Sequence, residues 1–267
     1  MKLSIITINY NNCDGLRKTV ESVVNQTCLD FEYIIIDGGS TDGSVDVIKQ
    51  YADIIDYWVS EPDNGIFNAM NKGIAIAKGE YLIFMNSGDC FYDNNSVMNF
   101  INSQAVEDIV FGNIIDDITN KRLLYLSSSE LTASAFFNNS IPHQASFIKR
   151  DLFERYGPYD ENLKIASDWK FFIYTIVFKN VSLRYVDITF ARYENNGVST
   201  SDHKEEVEMV INSLFPKRIL DDYPYVLSLK DVRKNKICRI LYSLLYRFSS
   251  IINRISLSYK IKRLNIK

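Results

Sequence analysis

The chain has 267 residues, 46% of them hydrophobic, enough to bury a core in one large domain or two small ones. Its four cysteines (Cys13, Cys28, Cys90, Cys238) lack both paired metal spacing and the density of a disulfide framework; this excludes a disulfide-stapled secreted domain and points to a reducing compartment. The net charge of −3 is uneven: from Lys230 onward eleven Lys or Arg face one acid, +10, while the remainder has 19 bases and 32 acids, −13.

In chain order, residues 3–8 form an apolar run too short for a signal-peptide core, and they read as a first strand. After the polar loop 9–12, Leu16, Val20, Val23 and Val24 mark a helix face with Asp14 as its N-cap. Residues 31–36 read as a second strand ending at Asp37-Gly38-Gly39-Ser40, and Asp42 then caps a helix carrying Val45, Ile48 and Ala52. Residues 54–59 read as a third strand. Pro62, Asn64 and Gly65 make a turn, and Ile66, Met70, Ile74 and Ala77 repeat at helical spacing up to Gly79. Residues 81–85 are large and apolar without a break, the pattern of a strand buried on both faces. This alternation implies βαβ units, a doubly wound sheet and right-handed crossovers.

Each of these strands runs into a polar or glycine-containing loop: Asn9, Asp37, Glu61 and residues 86–89. In an open α/β sheet such loops share one edge, where ligands bind. Asp89, beside Gly88, reads either as a carboxylate holding a divalent metal and its phosphates or as a solvated turn residue. No G-x-G-x-x-G opens the first helix and no G-x-x-x-x-G-K-[ST] occurs, which disfavours dinucleotide and P-loop functions.

Four segments, in order, carry a resemblance. They are Ser4-Ile5-Ile6-Thr7-Ile8-Asn9-Tyr10-Asn11; Asp37-Gly38-Gly39-Ser40-Thr41-Asp42-Gly43-Ser44; Asn71-Lys72-Gly73-Ile74 with Gly79-Glu80-Tyr81; and Asn86-Ser87-Gly88-Asp89. Together they resemble the successive motifs of family 2 glycosyltransferases with the GT-A fold. His143-Gln144-Ala145-Ser146-Phe147, Ser167-Asp168-Trp169 and Gly197-Val198-Ser199-Thr200 extend the likeness to residue 200 and make it similar to bacterial exopolysaccharide enzymes of the colanic-acid type.

The resemblance implies a GT-A, Rossmann-like doubly wound, mostly parallel sheet that binds a nucleoside-diphosphate sugar, usually a UDP-sugar. It implies donor contacts from Thr7, Asn9, Asp37, Asn71, Asn86 and Ser87. Asp37 matches the acid near base and ribose, and the base-reading second acid is replaced by Gly38. Asp89 matches the last acid of the D-x-D element that holds Mg2+ or Mn2+, and Asn86 replaces the first. The Arg that often precedes Asn71 is replaced by Met70. Asp168 matches the catalytic base, although its position also suits a helix N-cap before an apolar helical run, 169–177. His143, Gln144 and Trp169 are candidates for acceptor or diphosphate contacts, and His143 equally for a structural role. Residues 197–201 resemble a loop that folds over the donor or a plain surface loop, and His203 reads as solvated.

Beyond the match, Ile237, Ile240, Leu241, Leu244, Leu245, Phe248, Ile251, Ile252 and Ile255 form one apolar stripe among Arg and Lys. Such a basic amphipathic helix suits an anionic membrane surface, or packs on the protein's own body or on a second subunit in a homodimer. No stretch reaches the apolar length of a spanning helix. The acidic body argues against a nucleic-acid partner.

The sequence thus predicts residues 1–100 as a nucleotide-sugar-binding half, 101–202 as an acceptor and catalytic half of the same domain, and 203–267 as a helical extension, basic from 230. The expected function is an inverting, metal-dependent hexosyl- or N-acetylhexosaminyltransferase acting on a glycan or lipid-linked glycan, cytoplasmic and peripheral on the inner face of the plasma membrane. The alternative is a non-catalytic nucleotide-sugar-binding or scaffold protein, motivated by Gly38 and Asn86. A nucleotidyltransferase is disfavoured because no glycine-rich basic loop follows the first strand.

Overall fold

The computed structural model describes residues 2–123, 131–137, 140–193 and 204–222, in two compact units, Met1–Val210 and Ile211–Lys267. The loop 197–201, His203 and the amphipathic stripe 237–255 lie outside the described residues.

In the first unit the apolar runs become the central strands β1 (Leu3–Asn9), β2 (Phe31–Asp37), β3 (Tyr57–Ser60) and β4 (Tyr81–Phe84). Every residue of β1 and β4 is buried, as an apolar run covered on both faces requires. Between them lie α1 (Cys13–Val24), α2 (Ser44–Gln50) and α3 (Ile66–Ile76). β5 (Cys90–Phe91), α4 (Ser96–Asn102), β6 (Ile109–Asp116), β7 (Lys121–Leu123) and α5 (Ala133–Phe136) follow. A 3-10 turn, His143–Ala145, leads into β8 (Ser146–Lys149), α6 (Asp151–Tyr156), α7 (Ser167–Phe172), β9 (Leu183–Tyr193) and α8 (Lys204–Leu214).

Among the described residues nine strands form one sheet in the order β3-β2-β1-β4-β8-β6-β9-β5, with β7 on β6. The first four are parallel to one another, as the strand–helix alternation implies. β8 is antiparallel to both β4 and β6, and β6 and β9 are parallel. β8 therefore joins the parallel half to a mixed half.

Several local details differ from the sequence reading. α1 is capped by Asn12, whose Oδ1 accepts the Gly15 N–H at 3.2 Å; Asp14 sits in the first turn, where its charge suits the helix N-terminus. β3 starts at Tyr57, because Ile54 and Ile55 close a turn onto Tyr51 O. The helix carrying Asp168 starts at Ser167, with Ala166 at its N-cap, and widens into a π-helical turn at Ile173–Phe178. The N-cap of α2 is Gly43, with φ +99°, and not Asp42; Asp42, one residue earlier, accepts from Ser44 N, Ser44 Oγ and Cys13 N.

α3 ends at Ile76, ahead of Gly79, and Gly79 has a different task. A Cβ there would stand 2.5 Å from Ser4 N and 2.6 Å from Leu3 C, so the chain crosses β1 too closely for a side chain. In the second unit, the described residues 211–222 contain the end of α8 and a helical turn from Pro216, with Lys217 paired to Asp221 at 3.2 Å. Among the described residues no helix is long and apolar enough to cross a membrane.

Because the two nearest atoms to that Cβ are backbone and cannot swing away, Gly79→Ala is expected to destabilise the first unit by about 1–3 kcal/mol. A lowered urea midpoint checks this, and an unchanged one refutes the close crossing.

Candidate active site at the carboxyl edge of the sheet

The register of the parallel strands sets Asn9 beside Asp37 and Asp37 beside Ser60, so three strand ends meet on one edge. Asp37 is fully buried there. Its Oδ1 accepts from Asn9 Nδ2 at 2.7 Å and Ser40 Oγ at 2.6 Å; its Oδ2 accepts from Ser40 N at 2.9 Å and Ser60 Oγ at 2.5 Å. Burial alone would raise its pKa, but these four hydrogen bonds outweigh burial and hold the carboxyl below its ordinary range. Four donors match the roughly four acceptor positions of a carboxylate. Asp37 thus knits the strand ends together, while Asn9 keeps a buried Oδ1 with no partner among the described residues. Thr7 lies deeper, its Oγ1 3.1 Å from the Tyr33 hydroxyl inside the sheet.

The ladder between β1 and β4 continues past Phe84 through Met85 N to Ile6 O and Ser87 N to Ile8 O. This carries Asn86, Ser87 and Asp89 to the same edge. Gly88 turns the loop with φ +106°, a conformation that favours glycine. Thr19 on α1 fastens it: its Oγ1 accepts from Gly88 N at 3.0 Å and lies 2.7 Å from Asp89 O. Asn12 Nδ2 donates to Ser87 O at 3.2 Å.

His143 joins this loop to α7. Its Nδ1 is 3.1 Å from Asp168 Oδ2; its Nε2 is 3.3 Å from Asn86 Nδ2 and 3.9 Å from Asp89 Oδ2. Burial would lower the histidine pKa, but the bond to Asp168 and the charges of Asp168 and Asp89 together raise it. Asp168 is the second residue of α7, and its Oδ1 accepts from Trp169 N at 2.7 Å. Aromatic packing fixes that helix: Phe171 stacks on Phe153 at 4.6 Å, and the Tyr159 ring meets Phe171 edge-on at 5.5 Å. The Tyr159 hydroxyl is buried with no partner among the described residues, and burial followed by the Asp168 charge pushes its pKa well up.

The structure therefore brings Asn86, Asp89, His143 and Asp168 together. Ser87 stands beside them, and Gln144 is half-buried in the His143 turn. Trp169 is turned to Phe136, donating Nε1–H to its carbonyl at 2.9 Å. Asn71 is engaged elsewhere: its Nδ2 donates to Tyr159 O at 2.9 Å and Glu161 Oε1 at 2.8 Å, and its Oδ1 accepts from Tyr159 N. It is a strut between α3 and the turn leading to α7.

Two contributors escaped the sequence reading. Thr19 sits among the apolar α1 positions, where a buried hydroxyl needs a partner and so marks a contact. Asp63 stands against Gly38, where an added Cβ would be 2.6 Å from its Oδ2. An acid thus occupies the place where Gly38 offers none, which only the fold reveals.

The chemistry of the donor set fits a hard divalent cation in part. Asn86 Oδ1 is buried and has no partner among the described residues, and it belongs to the loop that carries the Asp89 carboxylate. Oxygen donors from protein, completed by phosphate and water, suit Mg2+ or Mn2+. No group of three His, Cys, Asp or Glu able to hold a metal exists among the described residues.

Comparison with known proteins gives a consistent answer. The family model described as Glycosyl transferase family 2 matches residues 4–162. A PGL/p-HBAD biosynthesis glycosyltransferase of Mycobacterium bovis is 32% identical over 200 residues, covering 73% of this chain and 77% of that protein. An uncharacterised glycosyltransferase of Mycobacterium tuberculosis is 34% identical over 214 residues, covering 76% and 78%. Among solved structures, S. aureus TarS 1-349 in complex with UDP-GlcNAc aligns with a TM-score of 0.65 at 18% identity, over 79% of this chain and 64% of that one. The mannosyltransferase PcManGT from Pyrobaculum calidifontis, in complex with GDP-Man and Mn2+, aligns with a TM-score of 0.56 at 16% identity, over 73% and 58%. At such identities the likeness to the solved structures is one of fold, the GT-A fold.

The lowered Asp37 pKa gives a pH test. Its stabilisation is complete above the unfolded value, ~3.9, and is lost as pH falls through the lower folded value. Asp37→Asn is expected to lose about 1–3 kcal/mol at neutral pH, with the gap to wild type narrowing in acid. Urea unfolding at neutral pH and near pH 3 reads it, and a pH-independent gap contradicts the assignment.

Proposed function

The chain belongs to glycosyl transferase family 2, and from that premise we propose that it is an inverting transferase moving a hexosyl or N-acetylhexosaminyl group from a UDP-sugar to a lipid-linked glycan acceptor in bacterial surface polysaccharide synthesis. The observation that carries the reading is the His143 ring, which links Asp168 to the loop of Asp89 and Asn86. On this reading the base for the acceptor and the loop facing the diphosphate lie on either side of that ring. The likeness of the motif set to colanic-acid-type enzymes supports an exopolysaccharide product, and the fold shared with a UDP-GlcNAc complex supports a uridine donor.

In this mechanism Asp168 accepts the proton of the acceptor hydroxyl as that oxygen bonds to the anomeric carbon. The bond from that carbon to the donor phosphate oxygen breaks, and the nucleoside diphosphate leaves with its electron pair. One displacement inverts the anomeric centre. His143 holds the Asp168 carboxylate at Oδ2, and Trp169 N holds Oδ1, so the base is oriented before the acceptor arrives. Asp89 and Asn86 Oδ1 would hold Mg2+ or Mn2+, which when bound neutralises charge on the departing diphosphate. We assign the non-catalytic scaffold reading second place, because a carboxylate oriented by a histidine beside the loop of Asp89 suits a general base.

The basic stripe 237–255 supports a peripheral site on the inner face of the plasma membrane. Asp168→Ala is expected to lower sugar transfer or donor hydrolysis by about 10²–10⁴-fold, and EDTA to lower wild-type turnover. Full activity in the variant removes Asp168 from the mechanism, and indifference to EDTA removes the cation. In flotation with anionic liposomes, the full chain is expected to float and a chain ending at Tyr223 to sink; equal sinking of both refutes membrane attachment.

A further inference from the structure

We propose that Glu206 is a positioning residue for the transfer reaction, its carboxylate clamping the turn from which the Asp168 helix starts. The activity arm of the test rests on the transferase reading above; the structural arm does not.

Three consecutive backbone N–H groups converge on this one side chain. Lys164 N donates to Glu206 Oε1, and Ile165 N and Ala166 N donate to Oε2, each at 2.8 Å. Successive N–H groups point to one spot only where the backbone curls into a concave nest, and such a nest takes an anion. Here the anion is built into the chain. Glu206 comes from α8, remote in sequence, and is half-buried on reaching the turn.

The clamp answers a local defect. α7 has no side-chain cap of its own, because its N-cap residue is Ala166, which has no oxygen to offer. Without Glu206 three N–H groups ahead of α7 lose their acceptor at once. The turn has other ties, at residues 159–161, among them the bonds of Lys170 to Asp160 and of Asn68 and Asn71 to Glu161. Asn71 holds Tyr159, and Ser167 Oγ accepts from Asp160 N at 2.6 Å. Among the described residues, Glu206 is the acceptor for the N–H groups of residues 164–166.

Asp168 stands two positions beyond Ala166, on the first turn of α7. A shift of that turn moves the carboxylate from its 3.1 Å approach to His143. The donor half is untouched, since Asp37 and the loop of Asp89 are fastened by Ser40, Ser60 and Thr19. Loss of Glu206 should therefore act on turnover and spare donor affinity.

The test compares Glu206→Gln with Glu205→Gln, an exposed neighbour, in the full chain with a UDP-sugar donor. The glutamine amide keeps one acceptor oxygen and presents its NH2 where the backbone donates. Glu206→Gln is expected to lower kcat by about tenfold to a hundredfold, with donor KM changing by less than about twofold. Glu205→Gln should match wild type in both. Amide hydrogen exchange supplies the second readout: Ile165 and Ala166 should be protected in wild type and exchange faster in Glu206→Gln, with β1 to β4 unchanged. Unchanged kcat with lost protection overturns the positioning role. Unprotected Ile165 and Ala166 in wild type overturn the clamp, even where the variant fails to fold. Protected amides in a wild type without any turnover uphold the clamp and refute the transferase reading.

Discussion

One imidazole ring spans the two halves of the sheet. The loop after β4 belongs to the parallel half, and α7 lies between β8 and β9 of the mixed half; His143, in the turn entering β8, touches both. β8 is the strand that joins the halves, antiparallel to β4 on one side and to β6 on the other. The residue before β8 is therefore fixed relative to both. A ring rooted there sets the separation of Asp89 and Asp168 more rigidly than either loop could set it alone. The raised histidine pKa reflects the same geometry, since two carboxylates outweigh the burial that disfavours a charged ring.

The edge on which this ring sits depends on Asp37. Parallel strands deliver their carboxyl ends together, but those ends carry backbone groups that need partners. A buried carboxylate takes one such backbone N–H, from Ser40, and three side-chain donors from β1, β3 and the loop after β2. Its role is cohesive: with its acceptor positions filled, it shapes the floor beneath the donor loops. Asp63, leaning over Gly38 from the next loop, is the carboxylate better exposed to a ligand on that side.

Much of this was legible in the sequence. Fully buried parallel strands read as unbroken apolar runs, and loops after them hold polar residues, so β1, β2, β4 and the convergence of their ends followed from pattern alone. Asp89 and Asp168, far apart in the chain, both approach the His143 ring. The misses have physical causes. Asn71 also bonds the turn at Tyr159, a partner that no local pattern reveals. Thr19 and Glu206 act on backbone groups brought near only by folding. β3 was drawn too long because Ile54 and Ile55 are apolar, although they close a turn. Apolarity reports burial, and hydrogen bonding decides whether a buried residue is strand.

Asn86 in place of an acid follows from crowding. Asp168 and Asp89 already approach the His143 ring at 3.1 and 3.9 Å, and residue 86 approaches it at 3.3 Å. A third carboxylate would put three negative groups around one imidazole in a partly desolvated crevice. Like charges held that close repel one another. An amide keeps oxygen at that place without adding charge. It leaves Asn86 Oδ1 without a partner, a penalty of about 1–3 kcal/mol that a bound cation or ligand donor would relieve. The amide thus limits the negative charge around the ring, and its unsatisfied oxygen favours an occupant that offers it a partner.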